Sequence, residues 1–172
     1  MKLRGDCRYS SNRKLISEAG IPNMNAQTLN PQSAEARVRI LVVDDHEVMR
    51  LGMRNLLESR SGWSVCAEAS NGREAIESAL RLHPDVIIMD ITMPGMNGLD
   101  AASRITESQP EIPVILFSLH LSEDVIDHFQ KDGIRGAVSK GDAARDLVAA
   151  VETVLSGGNF FPTRKSSGKH LH

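Results

Sequence analysis

Cysteine is nearly missing from this chain. Among 172 residues only Cys7 and Cys66 occur, too few for a disulfide framework and at a spacing that makes no metal site. That scarcity predicts a reduced, cytoplasmic setting. Long apolar runs are missing too: none approaches the roughly 20 residues that a membrane-spanning helix needs. Residues 1–20 are polar and basic, without the apolar core that marks a signal peptide. Positive charge is scarce where the patterning is most regular. Residues 38–158 carry eleven basic against nineteen acidic side chains, whereas 1–37 carry six against three and 159–172 three against none. So acidic a segment lacks the basic footprint that phosphate backbones require, so direct nucleic-acid binding by this chain is not expected. Acidic clefts suit cations instead.

What is present is a regular alternation. Residues 1–37 hold Gly, Ser, Asn, Gln and Pro with no sustained period and read as a flexible arm. From Val38 the pattern sharpens. Val38–Asp44 reads as a strand, and His46–Ser59 places Met49, Met53, Leu56 and Leu57 at helical spacing. Ser64–Ala69 alternates as a second strand. Asn71 caps a helix carrying Ala75, Ile76, Ala79, Leu80 and Leu82 that stops before Pro84. Val86–Asp90 is a third strand, apolar for four residues and so buried on both faces. Gly98–Ser108 reads as a helix and Val114–Ser118 as a fourth buried strand. Ser122 caps a helix over Glu123–Lys131, broken by Gly133. Arg135–Lys140 is a short fifth strand, and Asp142 caps a last helix whose Leu147, Val148, Val151, Val154 and Leu155 form one stripe up to Gly157-Gly158.

Five strands alternating with helices over short connections predict an α/β fold: a parallel sheet covered on both faces, with right-handed crossovers. In such sheets the site lies beyond the carboxyl ends of the strands. Asp44, Asp45, Asp90, Ser118 and Lys140 all fall at those ends. After Asp90, residues Pro94, Gly95 and Gly98 force a loop, so the strand delivers one carboxylate to its mouth. Three carboxylates gathered there repel one another unless a cation neutralises them. Mg²⁺ takes oxygen ligands, uses one or two carboxylates and keeps several waters. Asp45 and Asp90 are assigned as direct ligands and Asp44 as acting through water, and the carbonyl of Thr92 completes the shell. An ammonium and a hydroxyl opposite a metal suit a tetrahedral oxyanion. Together these groups can neutralise a phosphoryl group in flight, with Asp90 as the nucleophile. His46, His83 and His128 match no metal motif and read as surface or packing residues.

The order and spacing of these residues resemble the receiver domain of bacterial two-component response regulators, the NarL/FixJ subfamily above all. The resemblance covers residues 38 to about 160 and rests on ILVVDDHEVMRLGMRNLL, PDVIIMDITMPGMNGLDA, VILFSLH and the Lys140 that follows GIRGAVS. It implies a flavodoxin-like, doubly wound (βα)5 three-layer sandwich with strand order 2-1-3-4-5. It also implies a division into the arm 1–37, a receiver domain 38–158 and a tail or linker 159–172. Asp90 matches the family's phosphoacceptor, Asp44 and Asp45 its Mg²⁺-holding pair, Ser118 its mobile hydroxyl and Lys140 its lysine. His120 falls where the family sets its dephosphorylation rate. Implied partners are a histidine kinase, or a small phosphodonor, and a second copy in a phosphorylation-dependent dimer. Such a chain is not an enzyme on external substrates. It serves two-component phosphorelay, and transcriptional regulation where a helix-turn-helix output domain is joined to it.

Two departures qualify the match. The family usually sets an aromatic ring three positions before the lysine, and here that position is Ala137. Only fourteen residues follow Gly158, too few for the subfamily's output domain. The first departure keeps open a receiver-fold interaction protein with weakened or lost switching. A Mg²⁺-dependent phosphohydrolase would want Asp-x-Asp after the strand, but Asp90 is followed by Ile91-Thr92. A flavodoxin-like cofactor binder would want a phosphate-cradling loop where Asp44-Asp45-His46-Glu47 stand.

Overall fold

The computed structural model describes residues 37–121, 126 and 133–162. Strands β1 (Val38–Val43), β2 (Trp63–Ala69), β3 (Val86–Asp90), β4 (Val114–Ser118) and β5 (Gly136–Ser139) pair in parallel in the order β2-β1-β3-β4-β5. Helices α1 (Glu47–Glu58), α2 (Gly72–Leu82) and α3 (Gly98–Ser108) supply the crossovers that are described, and α4 (Ala143–Leu155) follows β5. This is the flavodoxin-like receiver arrangement expected from the sequence. The helix expected over Glu123–Lys131, apart from Ile126, which is helical, the arm 1–36 and residues 163–172 lie outside the described residues.

The period of two in a strand explains the layers. Leu41, Val43, Ile87, Met89 and Leu116 face one side of the sheet and pack with Ala75 and Ala79 of α2 and with Ala101, Ala102 and Ile105 of α3. Their neighbours Ile40, Val42, Ile88, Ile115 and Phe117 face the other side, against Met53 and Leu57 of α1 and Leu147, Ala150, Val151 and Val154 of α4. All five residues of β3 and all five of β4 are buried, as a central strand covered on both faces requires. Among the described residues no helix is long and apolar enough to cross a membrane.

Helix boundaries follow their capping chemistry. Asn71 accepts the Glu74 amide at 3.1 Å, and the Glu74 carboxylate accepts the Ser70 amide at 2.9 Å. His83 ends α2 in the left-handed region (φ 45°), immediately before Pro84. Three expectations are corrected. Strand β5 runs only from Gly136 to Ser139, and Lys140 opens a 3₁₀ turn, Lys140–Asp142, that leads into α4. Asp142 makes no side-chain cap, because its carboxylate pairs with Arg145 at 3.1 Å instead. Leu80, placed on the helical stripe of α2, is half exposed.

One feature of the sheet was not anticipated. After α4 the chain returns to the open edge of β5, where Phe160 bridges Gly136 in parallel. The Phe160 amide donates to the Arg135 carbonyl at 2.9 Å, and its carbonyl accepts the Ala137 amide at 2.8 Å. Phe161 packs, partly buried, against the core cluster that contains Ala137. An edge strand otherwise exposes unpaired backbone groups, and this return covers part of that edge.

Candidate functional site

Two strand ends build the site. β1 and β3 are neighbours with Val43 opposite Met89, so the residues that follow them, Asp44 and Asp90, emerge side by side. Asp44 has no exposed surface and Asp90 is 1% exposed. The loop after β3 is held close: the Gly98 amide donates to the Ile91 carbonyl at 2.9 Å, and the Thr92 amide donates to Asp90 Oδ1 at 3.2 Å. Gly98 must be glycine there, because a Cβ would stand 1.8 Å from the Asp90 carbonyl oxygen.

Lys140 closes the constellation from the end of β5. Its Nζ lies 2.7 Å from Asp44 Oδ2 and 2.8 Å from Asp90 Oδ2, with the lysine side chain 8% exposed. The same ammonium stands 5.7 Å from the centroid of the Phe117 ring, within reach of its negative face. Burial works against the charged form of Lys140, yet the hydrogen bonds that it donates to Asp44 and Asp90 outweigh it and raise its pKa. Burial likewise raises the pKa of Asp90, and the proximity of Asp44 adds to the rise. The hydrogen bonds from Lys140 and Thr92 oppose that rise without cancelling it.

Asp45 is partly exposed and meets the imidazole of the next residue, His46 Nδ1, at 2.7 Å. The same nitrogen lies 3.3 Å from Asp44 Oδ1, which also accepts the His46 amide at 2.8 Å. One donor atom each from Asp44, Asp45, His46 and Asp90 lie within 4.8 Å of one another, a set able to hold a metal ion. Three acidic groups facing one lysine leave the pocket negative, which favours a cation. The rim is tied down from α1: Arg50 donates to the Asp44 carbonyl at 2.7 Å and pairs with Glu68.

The structure thus gathers Asp44, Asp45, Asp90 and Lys140. Ser118 also sits at the carboxyl edge, beside Ser139 in the register of β4 with β5, but its hydroxyl is engaged elsewhere. It donates to the His120 carbonyl at 3.2 Å and accepts the His120 amide at 3.3 Å. His120 itself is exposed, and Thr92 meets Asp90 through its amide. His46, expected as a surface or packing residue matching no metal motif, instead stands with the acidic groups because it directly follows Asp44-Asp45, and Arg50 escaped the sequence reading.

Residues 40–152 match the family profile of the response regulator receiver domain. The chain belongs to that family. Individual regulators are similar to it as well. The transcriptional regulatory protein DegU of Brevibacillus brevis is 33% identical over 132 residues, covering 77% of this chain and 56% of DegU. Response regulator UvrY of Escherichia coli is 35% identical over 123 residues, covering 72% of this chain and 56% of UvrY. The match therefore spans little more than half the length of these curated relatives. A two-component response regulator of the LuxR family from Aurantimonas sp. is similar in structure. Its TM-score is 0.69 at 33% identity, covering 72% of this chain and 89% of that one.

Proposed function

We propose that this receiver is a Mg²⁺-dependent phosphoryl acceptor whose phosphorylated residue is Asp90. The observation that carries the reading is the Lys140 ammonium, set between Asp44 and Asp90 at the mouth of the sheet. A phosphoryl group arriving there meets a fixed positive charge, and electrostatic preorganisation of that kind is most of what phosphoryl transfer needs. One oxygen of Asp90 attacks phosphorus, the bond from phosphorus to its donor breaks, and an aspartyl phosphate results. The donor is a phosphohistidine on a histidine kinase, or a small phosphodonor.

The residues fit Mg²⁺, a hard cation that takes carboxylate oxygens. Asp45 and Asp90 would hold it directly, with the Thr92 carbonyl. Asp44, whose two oxygens already accept from Lys140 and the His46 amide, is left to act through water. The bound ion supplies neutralisation of the phosphoryl oxygens. Ser118 follows the new charge by giving up its bonds to the His120 backbone, and the family resemblance assigns His120 the tuning of acyl-phosphate hydrolysis. The change alters partner contacts, including contacts with a second copy. The names of the relatives support a role in transcriptional regulation, which would be exerted where a DNA-binding module is joined to the receiver.

A second reading, a receiver-fold interaction module with weak switching, is favoured by Ala137. That residue is 1% exposed within the core and offers no ring to move behind Ser118. Acetyl phosphate labelling with Mg²⁺, read by intact mass, tests the first reading. The parent is expected to gain one phosphoryl group and Asp90→Asn none. An unlabelled parent would favour the second reading, and a labelled Asn variant would place the acceptor elsewhere. Sedimentation with and without beryllofluoride then measures whether occupancy of the site changes self-association.

A further inference from the structure

We propose that His46 is a nitrogen donor of the cation site, and that it tunes the site toward divalent ions with an affinity for imidazole. The proposal rests on the acidic cluster being a cation site, as argued above. Its basis is where the ring points. His46 is the N-cap residue of α1, but its side chain makes no hydrogen bond to the helix. Instead Nδ1 lies 2.7 Å from Asp45 Oδ1 and 3.3 Å from Asp44 Oδ1. Bonds of about 2.1 Å to a first-row metal set neighbouring ligands roughly 3 Å apart, so the separation from Asp45 matches adjacent corners of one coordination shell.

The backbone fixes that placement. The His46 amide donates to Asp44 Oδ1 at 2.8 Å with φ −92° and ψ 114°, a local turn that holds the residue against the carboxylate before it. The ring is 72% exposed, so its Nε2 faces water. Moving the proton from Nδ1 to Nε2 frees the Nδ1 lone pair and buries no unpaired group. In the absence of an ion, the hydrogen-bond partner of Nδ1 is Asp44 Oδ1 at 3.3 Å, and the buried Asp45 Oδ1 beside it has none. With an ion present, Nδ1 and Asp45 become neighbouring ligands.

Mg²⁺ gains little from a nitrogen, because it prefers oxygen and keeps its water. Co²⁺, Ni²⁺ and Zn²⁺ bind imidazole well. His46 therefore sets the ratio between the two classes of ion, while the carboxylates provide the binding common to both.

The test is calorimetric titration of the full chain and of His46→Ala, His46→Asn and Asp45→Ala with Mg²⁺ and with Co²⁺, Co²⁺ binding also being followed by its visible absorption. Both His46 variants should weaken Co²⁺ by about tenfold or more, the usual scale for loss of one supporting group at a metal site. They should change Mg²⁺ affinity less than twofold. The remaining histidines are common to all four proteins, so their binding cancels in the comparison. With Zn²⁺, the Nδ1 resonance of His46 should move to a metal-bound position while Nε2 stays protonated. Co²⁺ affinity unchanged in the His46 variants, or Mg²⁺ lost as fully as Co²⁺, would overturn the proposal while the site assignment stands. If Asp45→Ala weakens neither ion, the cation-site reading itself fails, and the proposal fails with it.

Discussion

Lys140 and Asp44, 96 residues apart in the chain, meet at 2.7 Å in the least exposed part of the site. Asp44 has no exposed surface, and the lysine side chain keeps only 8%. Removing the ammonium leaves two buried carboxylates facing each other. Lys140→Met should therefore destabilise the protein by about 3–5 kcal/mol, the scale for an uncompensated buried charge. Urea unfolding at neutral pH without metal measures this. A loss below about 1 kcal/mol would mean that water or a shifted side chain takes over the pairing.

Asp90→Asn should raise stability at neutral pH while abolishing phosphoryl labelling. Burial raises the Asp90 pKa above the ordinary 3.8, so the folded state holds its proton more tightly than the unfolded chain does. Stability then falls as pH rises through the interval above 3.8, and ionised Asp90 is a cost at neutral pH. The advantage of the Asn variant should shrink as pH is lowered toward that value. Lys140 follows the same direction in a higher window: its raised pKa contributes stability that is fully present below 10.5 and is lost only as pH climbs beyond it. Urea midpoints from pH 4 to 7 decide the matter, and an Asn variant less stable than the parent at pH 7 would contradict it.

Gly98→Ala should damage both fold and site. The added methyl would stand 1.8 Å from the Asp90 carbonyl oxygen and 2.8 Å from its carbonyl carbon, and both neighbours are backbone. Relief requires the β3–α3 loop to move, which drags Asp90 away from Lys140. A loss of roughly 3 kcal/mol or more is expected, well above the ordinary surface substitution. Phosphoryl labelling should drop in the protein that remains folded. Parent-like stability and labelling together would show that the loop yields freely.

The returning segment gives a prediction of a different kind. A chain ending at Gly158 lacks the Phe160 carbonyl that accepts the Ala137 amide, and the Phe160 amide that donates to Arg135. Two hydrogen bonds at about 1 kcal/mol each set the scale of the loss. Amide exchange is the sharper readout. The Ala137 amide should exchange far faster in the shortened chain, whereas the Met89 amide, inside the central strand, should change little. Equal protection of Ala137 in both proteins would mean that the bridge contributes nothing.

A strand's period of two and a helix's period of 3.6 are properties of local sequence, and they were enough for most of this fold. The apolar run Val86–Met89, the stripe through Met53 and Leu57 and the caps at Asn71 all appear where the sequence predicts them, because each depends on residues within a few positions. Placement of Asp44 and Asp90 at one mouth was legible for the same reason, since parallel strands all end on one side. The sequence could not say how the side chains divide their partners there. Whether Lys140 reaches both carboxylates, whether the Ser118 hydroxyl turns inward or to His120, and whether His46 points to its helix or to Asp45 depend on register and on competing hydrogen bonds of similar energy. The return of Phe160 to β5 was equally hidden. Asn159-Phe160-Phe161-Pro162 has no strand period of its own, and it pairs only because the sheet leaves an open edge beside it.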